Sequence, residues 1–161
     1  ELGDAYNINT GDIASISSGD ARLLYFKNDE VMDVIIEAIA IGLRGFTNLT
    51  DMAIVTIIRN PTVGDLITDA SAVDMNVNRN FGSSKTLKDT TLAYRGKNAG
   101  TITGGIDTIQ FYQANNSRLF AAINLEIPRG QSVAIKVVGD GATAGTAYAA
   151  LMIHVKDAER D

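Results

Sequence analysis

Residues 52–87, MAIVTIIRNPTVGDLITDASAVDMNVNRNFGSSKTL, carry strand, turn and polar alternation in unbroken succession, the pattern of a β protein. Over residues 52–59 nearly every side chain is apolar or β-branched, the pattern of a strand covered on both faces. Asn60-Pro61 ends it, because proline lacks the N–H that a ladder needs and drives the residue before it toward extended or turn geometry. Gly64 turns the chain and residues 65–68 form a short run. A second alternation then begins: Asp74, Asn76, Asn78 and Asn80 fall on one face, Met75, Val77 and Arg79 on the other, so a strand over residues 72–80 with one wet face is expected. Phe81-Gly82-Ser83-Ser84 follows it. A row of short amides on an exposed strand suits contact with something polar, whether solvent, a sugar or a neighbouring subunit.

Upstream of this stretch, residues 31–43, VMDVIIEAIAIGL, admit two readings. Isoleucines at 35, 36 and 39 suit one face of a helix, but with Val31, Val34 and Ile41 the β-branched residues become so frequent that their stiffness at χ1 favours a strand. Ala21–Lys27, ARLLYFK, reads as a short strand ended by Asn28-Asp29. Residues 1–20 are polar and glycine-rich, with isolated hydrophobes at Leu2, Tyr6, Ile8, Ile13 and Ile16, too sparse for a helix stripe and too interrupted for a long strand. They read as an N-terminal arm, either lying over its own domain or reaching onto a neighbouring subunit where those hydrophobes dock. Residues 21–161 form a single domain.

Downstream, Leu92–Arg95 and residues 106–112 supply further strands, with threonines and a glycine pair between them at residues 101–105. Residues 118–127 place Leu119, Ala121, Ile123, Leu125 and Ile127 on one face and Arg118, Asn124 and Glu126 opposite. Pro128-Arg129-Gly130-Gln131 then turns the chain into Ser132–Val138, which reads as a hairpin. The last strand spans residues 146–155, small at Ala147 and Ala149, then Leu151, Ile153 and Val155. About eight to ten strands separated by glycine-rich loops indicate an all-β sandwich, and a jelly roll of about eight strands with an extended N-terminal arm fits best.

Composition narrows the function. Fourteen basic against 19 acidic residues give a net charge of -5, which removes the electrostatic footprint of a nucleic-acid binder. No apolar run reaches the roughly 20 residues of a membrane helix, so no membrane partner is expected. With no cysteine, thiolate metal sites, disulfides and cysteine nucleophiles are excluded together. The single histidine, His154, lies in the polar phase of the last strand beside Lys156 and reads as a rim residue. One histidine cannot furnish the ligand cluster of a metal-binding cupin barrel, and no G-x-S-x-G elbow accompanies it. A pair of carboxylates could in principle do acid and base work, but tryptophan platforms for sugar are absent. Tyr25-Phe26 and Phe111-Tyr112 read as core residues. The cluster Gly139-Asp140-Gly141 is a turn rather than a phosphate loop, and one carboxylate there is a weak calcium signal. The sequence therefore assigns no catalytic residue, no metal ligand and no cofactor, and the chain is not expected to be an enzyme.

Two segments, IIRNPTVGDLITDASAVDMNVNRNFGSSKTL (57–87) and INLEIPRGQSVAIKV (123–137), resemble the small jelly-roll proteins that decorate or cement the heads of tailed bacteriophages. The resemblance rests on the N-P-T-x-G turn (Asn60, Pro61, Thr62, Gly64), the asparagine-rich strand and the S-S-K-T-L exit at residues 83–87. It implies a virion structural protein on the outer capsid surface, homotrimeric, clamping adjacent copies of the major capsid protein. The resemblance carries over no functional residue; read from the residues themselves, the candidate interface is the hydrophobes of the arm, Leu2, Tyr6, Ile8, Ile13 and Ile16, and the polar row Asp74, Asn76, Asn78 and Asn80. The alternative is a carbohydrate-binding or adhesive jelly-roll module of a fibre or surface appendage.

Overall fold

The structure, a computed structural model, describes residues 4–16, 21–46, 53–68, 76–96, 102–138 and 145–157. In chain order these form β1 (Ala5–Asn9), β2 (Ile13–Ile16), β3 (Ala21–Lys27), β4 (Val34–Arg44), β5 (Ala53–Arg59), α1 (Asp65–Thr68), β6 (Asn76–Asn78), β7 (Leu92–Arg95), β8 (Ile106–Gln113), β9 (Ser117–Ile127), β10 (Ser132–Val138) and β11 (Gly145–Val155). All pairings are antiparallel. One sheet has the order β6-β1-β11-β4-β9, with β2 also pairing β11, and the other β7-β3-β10-β5-β8.

Eight of these strands make an interleaved pair of four-stranded sheets, β1-β11-β4-β9 and β3-β10-β5-β8. From β1 through β3, β4 and β5, and again from β8 to β11, the chain changes sheet at every connection; only β5 and β8 are sequential partners in one sheet. That is the strand order of a jelly roll. The connection between β5 and β8 contributes β6 and β7, which extend the two sheets beyond β1 and β3 on the same side of the sandwich.

The inner faces fill the core. β11 sends Ala147, Ala149, Leu151 and Ile153 inward, and β10 sends Val133, Ile135 and Val137 to meet them. Of residues 31–43, those from Val34 onward resolve as strand, within β4, and 31–33 lead into it. On β4 the inward residues are Val34 and Ile36, then Ile39, Ile41 and Leu43. The step between Ile36 and Ile39 is a β-bulge, for the partner of Ile36 on β11 is Ile153 and that of Ala38 is already Met152, leaving Glu37 as the inserted residue.

Three expectations from the sequence are corrected. Residues 5–16 are not an arm: β1 pairs with β11 from Ala5↔His154 to Asn9↔Ala150, and β2 continues along β11 at Ile16↔Gly145 and Ile13↔Ala147. Tyr6, Ile8 and Ile13 are each only 2% exposed and belong to the domain's own core, not to a neighbour's. Second, β9 and β10 do not form a hairpin. β9 pairs with β4 and β10 with β3 and β5, so residues 128–131 carry the chain from one sheet to the other. The turn chemistry of Pro128 and Gly130 (φ 81) is present, but it serves an inter-sheet corner. Third, Tyr112 points out of the sandwich, 70% exposed, while Phe26 and the half-buried Phe111 pack into the core between the sheets and Tyr25 is buried with Ile58, Leu66, Ile102 and Ala134.

The N-P-T-x-G segment shows why its residues are needed. Asn60 sits in the left-handed region (φ 50), accepts from Ser132 N at 2.8 Å through its side chain and donates its own N–H to Ser132 O at 2.9 Å. It thereby clips the end of β5 to the start of β10. The chain then crosses the outer face of the second sheet, where Leu66 of α1 is buried with Tyr25, Ile58, Ile102 and Ala134. This cover leaves the second sheet buried on both sides near β3, β10 and β5, which is why residues 52–59 read as an unbroken apolar run.

Candidate functional site

Of the polar strand singled out in the sequence, residues 72–75 lie outside the described residues, and the described part works for its own chain. β6 spans only Asn76–Asn78 and adds to β1 with Asn78 opposite Tyr6 and Asn76 opposite Ile8. Alternation stops there because the next amides build turns. Asn78 accepts from Asn80 N at 2.8 Å and donates to Lys85 O at 3.1 Å; Asn80 accepts from Gly82 N at 3.2 Å. Short amide side chains that bond the backbone two residues on are turn formers, and this competes with strand pairing. Both amides are therefore engaged within the chain rather than offered to a neighbour. Leu2, Asp74 and the calcium candidate Asp140 lie outside the described residues, and Ile16 sits in β2 opposite Gly145.

One charged cluster was not foreseen. The β4 bulge places Glu37 on the outer face of the first sheet, where His154 Nδ1 lies 3.0 Å from its Oε1 and Arg79 Nη2 lies 2.5 Å from its Oε2. Arg79 also donates to Ile153 O at 3.1 Å. His154 is partly exposed in the polar phase of β11, but that strand lies inside its sheet and the ring meets Glu37. The three side chains come from β4, β11 and the segment after β6, so they fasten the short edge strand to the centre of the sheet. Among the described residues no group of three or more His, Asp and Glu is placed to hold a metal ion. The sequence signal for this cluster was the out-of-phase Glu37 in an otherwise apolar run.

The open part of the sandwich is the side opposite β6 and β7, where β8 and β9 are the edge strands of the two sheets. At the turn between them the sheets are held together. Gln113, 4% exposed, donates through Nε2 to Ile41 O at 2.9 Å and Ser117 O at 3.2 Å. Asn115 holds residue Phe46, accepting from its N–H at 3.2 Å and donating to its O at 2.8 Å. From this closed end the strands diverge into separate sheets. They leave a cleft of about 350 Å³ floored by Ile57, Leu125, Ile127 and Val133, with Arg59 and Glu126 on its rim.

Along this seam the core is covered only in part. Ile109 and Phe111 of β8 and Ala121, Ile123 and Leu125 of β9 are half-buried, although their side chains face the interior. Phe120 stands outward and Ile106 lies opposite Arg59 at the open end of the cleft, each 63% exposed. On the outer face of the first sheet the register sets Phe120 beside Ala40 and Ala122 beside Ala38, and these two alanines lie beside Ala150 and Met152. Tyr148 lies flat over Gly42, whose position would bring a Cβ within 2.0 Å of the ring. The face is low and largely apolar, bounded by exposed Arg118 at one end of β9 and Glu126 at the other. A hydrogen bond from Lys156 at 2.6 Å, the larger cause, and one with Asp33 hold the Glu126 carboxyl below the usual carboxylate range, so it is charged at neutral pH.

Among the described residues β8 and β9 have no partner on their outer edges, and apolar side chains lie beside those edges, the kind of surface that another protein surface can cover. No protein-family model, curated protein or solved structure matches the chain.

Proposed function

We propose that this chain is a virion structural protein, a decoration or cement subunit that binds the outside of an icosahedral phage head and acts as a homo-oligomer. The observation that best supports the reading is the open β8–β9 seam of a jelly roll, where half-buried core residues and exposed Phe120 and Ile106 lie along strand edges that have no partner among the described residues. An extended apolar seam of this kind gains free energy when another protein surface covers it. Several copies held together multiply individually weak contacts to a repeating shell. The N-P-T-x-G turn adds support, since its Asn60 clip makes a rigid corner suited to a subunit that must hold its shape on a lattice.

The test is co-sedimentation of the purified chain with empty heads assembled from the major capsid protein of the same virus. Saturable binding in a fixed ratio to capsid subunits is expected. Absence of binding to heads, together with binding on a glycan array, would overturn this reading in favour of an adhesive module.

A further inference from the structure

The geometry points to the cleft at the open end of the sandwich as a binding site for a small anionic amphiphile, an aliphatic monocarboxylate of medium chain length. The inference goes beyond the capsid reading, does not depend on it, and is tested on the protein alone. Arg59 carries it. On β5 the side chains that face the core are Ala53, Val55 and Ile57, and Arg59 follows them in the same inward phase. Its partners across the sheet are Val133 of β10, a core residue, and Ile106 of β8. A cation thus stands at the mouth of an apolar space, flanked by two hydrophobic side chains. Arg59 is exposed and makes no ion pair among the described residues. Neither nearby acid answers it. Glu126 lies in the outward phase of β9, opposite Ile35, and is held by Lys156 at 2.6 Å; Asp107 lies in the other phase of β8, opposite Ile58.

The rest of the cleft suits an apolar chain. Ile57 and Val133 of one sheet face Leu125 and Ile127 of the other, and the neutral polar groups Thr108, Gln131 and Ser132 complete the lining. Thr108 is the inserted residue of a bulge, because Ile57 pairs with Ile109 and Ile58 already with Asp107. Bulges on edge strands re-aim side chains beside binding sites. Gln131 and Ser132 are both bonded to Asn60, so the corner after β5 fixes that wall. Small-ligand sites are largely apolar with a few placed polar groups, and they favour the mouths of β structures. A volume of about 350 Å³ holds roughly a dozen non-hydrogen atoms at about 30 Å³ each, the share of one water in the liquid. An eight-carbon carboxylate has that size. Its chain lies over the floor, and its two oxygens accept from the Arg59 guanidinium, whose fork matches a carboxylate. A neutral or cationic head leaves the arginine unanswered, which is the source of selectivity.

The experiment is a methyl NMR titration of the purified full chain with octanoate, and with octanol and octylamine as neutral and cationic probes of the same length. Saturable one-site shifts are expected at the methyl groups of Ile57, Leu125, Ile127 and Val133, with a Kd of about 5 mM or tighter, the affinity reachable by a ligand of this size. Octanol and octylamine should each bind at least about threefold more weakly. Arg59→Gln should weaken octanoate roughly fivefold and abolish its advantage over octanol, whereas Arg59→Lys, which keeps the charge, should stay within about threefold of the original chain. The lysine variant separates lost charge from a disturbed strand end. A Kd above about 5 mM, shifts centred on Phe120 instead of the cleft, octanol or octylamine binding as tightly as octanoate, or an Arg59→Gln variant that binds unchanged would each overturn the proposal.

Discussion

Deleting residues 1–12 should unfold this protein, and the size of the effect follows from where β1 sits. The deletion removes Tyr6 and Ile8, both 2% exposed, and the five-residue ladder that β1 makes with β11. Truncating a buried side chain of this size costs about 2 to 5 kcal/mol, so the two together come to about 4 to 10 kcal/mol before any backbone pairing is counted. Domain stabilities are about 5 to 15 kcal/mol in all. β6 would also lose its partner strand, and the edge of β11 would open over Leu151 and Ile153. The milder variant Ile8→Ala isolates one term: a loss of about 3 kcal/mol is expected, lowering the melting temperature by about 6 to 12 °C for a chain of this length. Urea unfolding followed by circular dichroism and tyrosine fluorescence measures both variants. A truncated chain that still unfolds cooperatively within a few degrees of the full chain, or an Ile8→Ala variant within about 1 kcal/mol of it, would refute the placement of β1 in the core.

Glycine substitutions separate strain from collision. Gly105 has φ +71 and an added Cβ would lie 2.2 Å from Arg59 O and 2.5 Å from Asn60 O, whereas Gly130 has φ +81 and nothing within 4 Å. Gly130→Ala should cost about 1 to 2 kcal/mol, the left-handed penalty alone, and Gly105→Ala at least twice that, read as the difference in urea midpoints. Equal midpoints would show that the backbone at Gly105 yields without cost. Tyr6 supplies a pH dependence. Burial first, then Asp4 and Glu30, raise its pKa above the ordinary 10.0, against a smaller opposing effect of Lys85. A folded-state pKa above the unfolded one means stability that is whole below pH 10 and is lost as pH rises past it, because the unfolded tyrosine ionises first. Tyr6→Phe should therefore lose less stability than the parent chain between pH 9 and about 11, as measured by urea midpoints; parallel curves would exclude Tyr6 as a contributor.

Much of the architecture was legible because β-strand periodicity is local. The alternation of residues 118–127 and of 146–155 survives intact in β9 and β11, since a strand with one face inward must alternate whatever its neighbours are. The helix-like spacing of Ile35, Ile36 and Ile39 had a different origin. An inserted Glu37 shifts the phase of β4 by one residue, and only the pairing with β11 reveals a bulge instead of a helical turn. That same insertion builds the Glu37, His154 and Arg79 cluster, whose members are far apart in the chain.

What the sequence by itself determined was the β class, the turn residues and the absence of cysteine. Which strands share a sheet was decided only in the tertiary structure. β9 and β10 carry a turn that suits a hairpin, yet each finds its partners elsewhere, because strand pairing is long-range and a jelly roll closes by alternating sheets. For the same reason sparse hydrophobes such as Tyr6 and Ile8 could not be assigned from their own segment: β1 is completed by β11 at the far end of the chain, and burial belongs to the pair. The asparagine row shows the converse, a regular polar pattern whose amides were claimed by local turns before any partner could meet them.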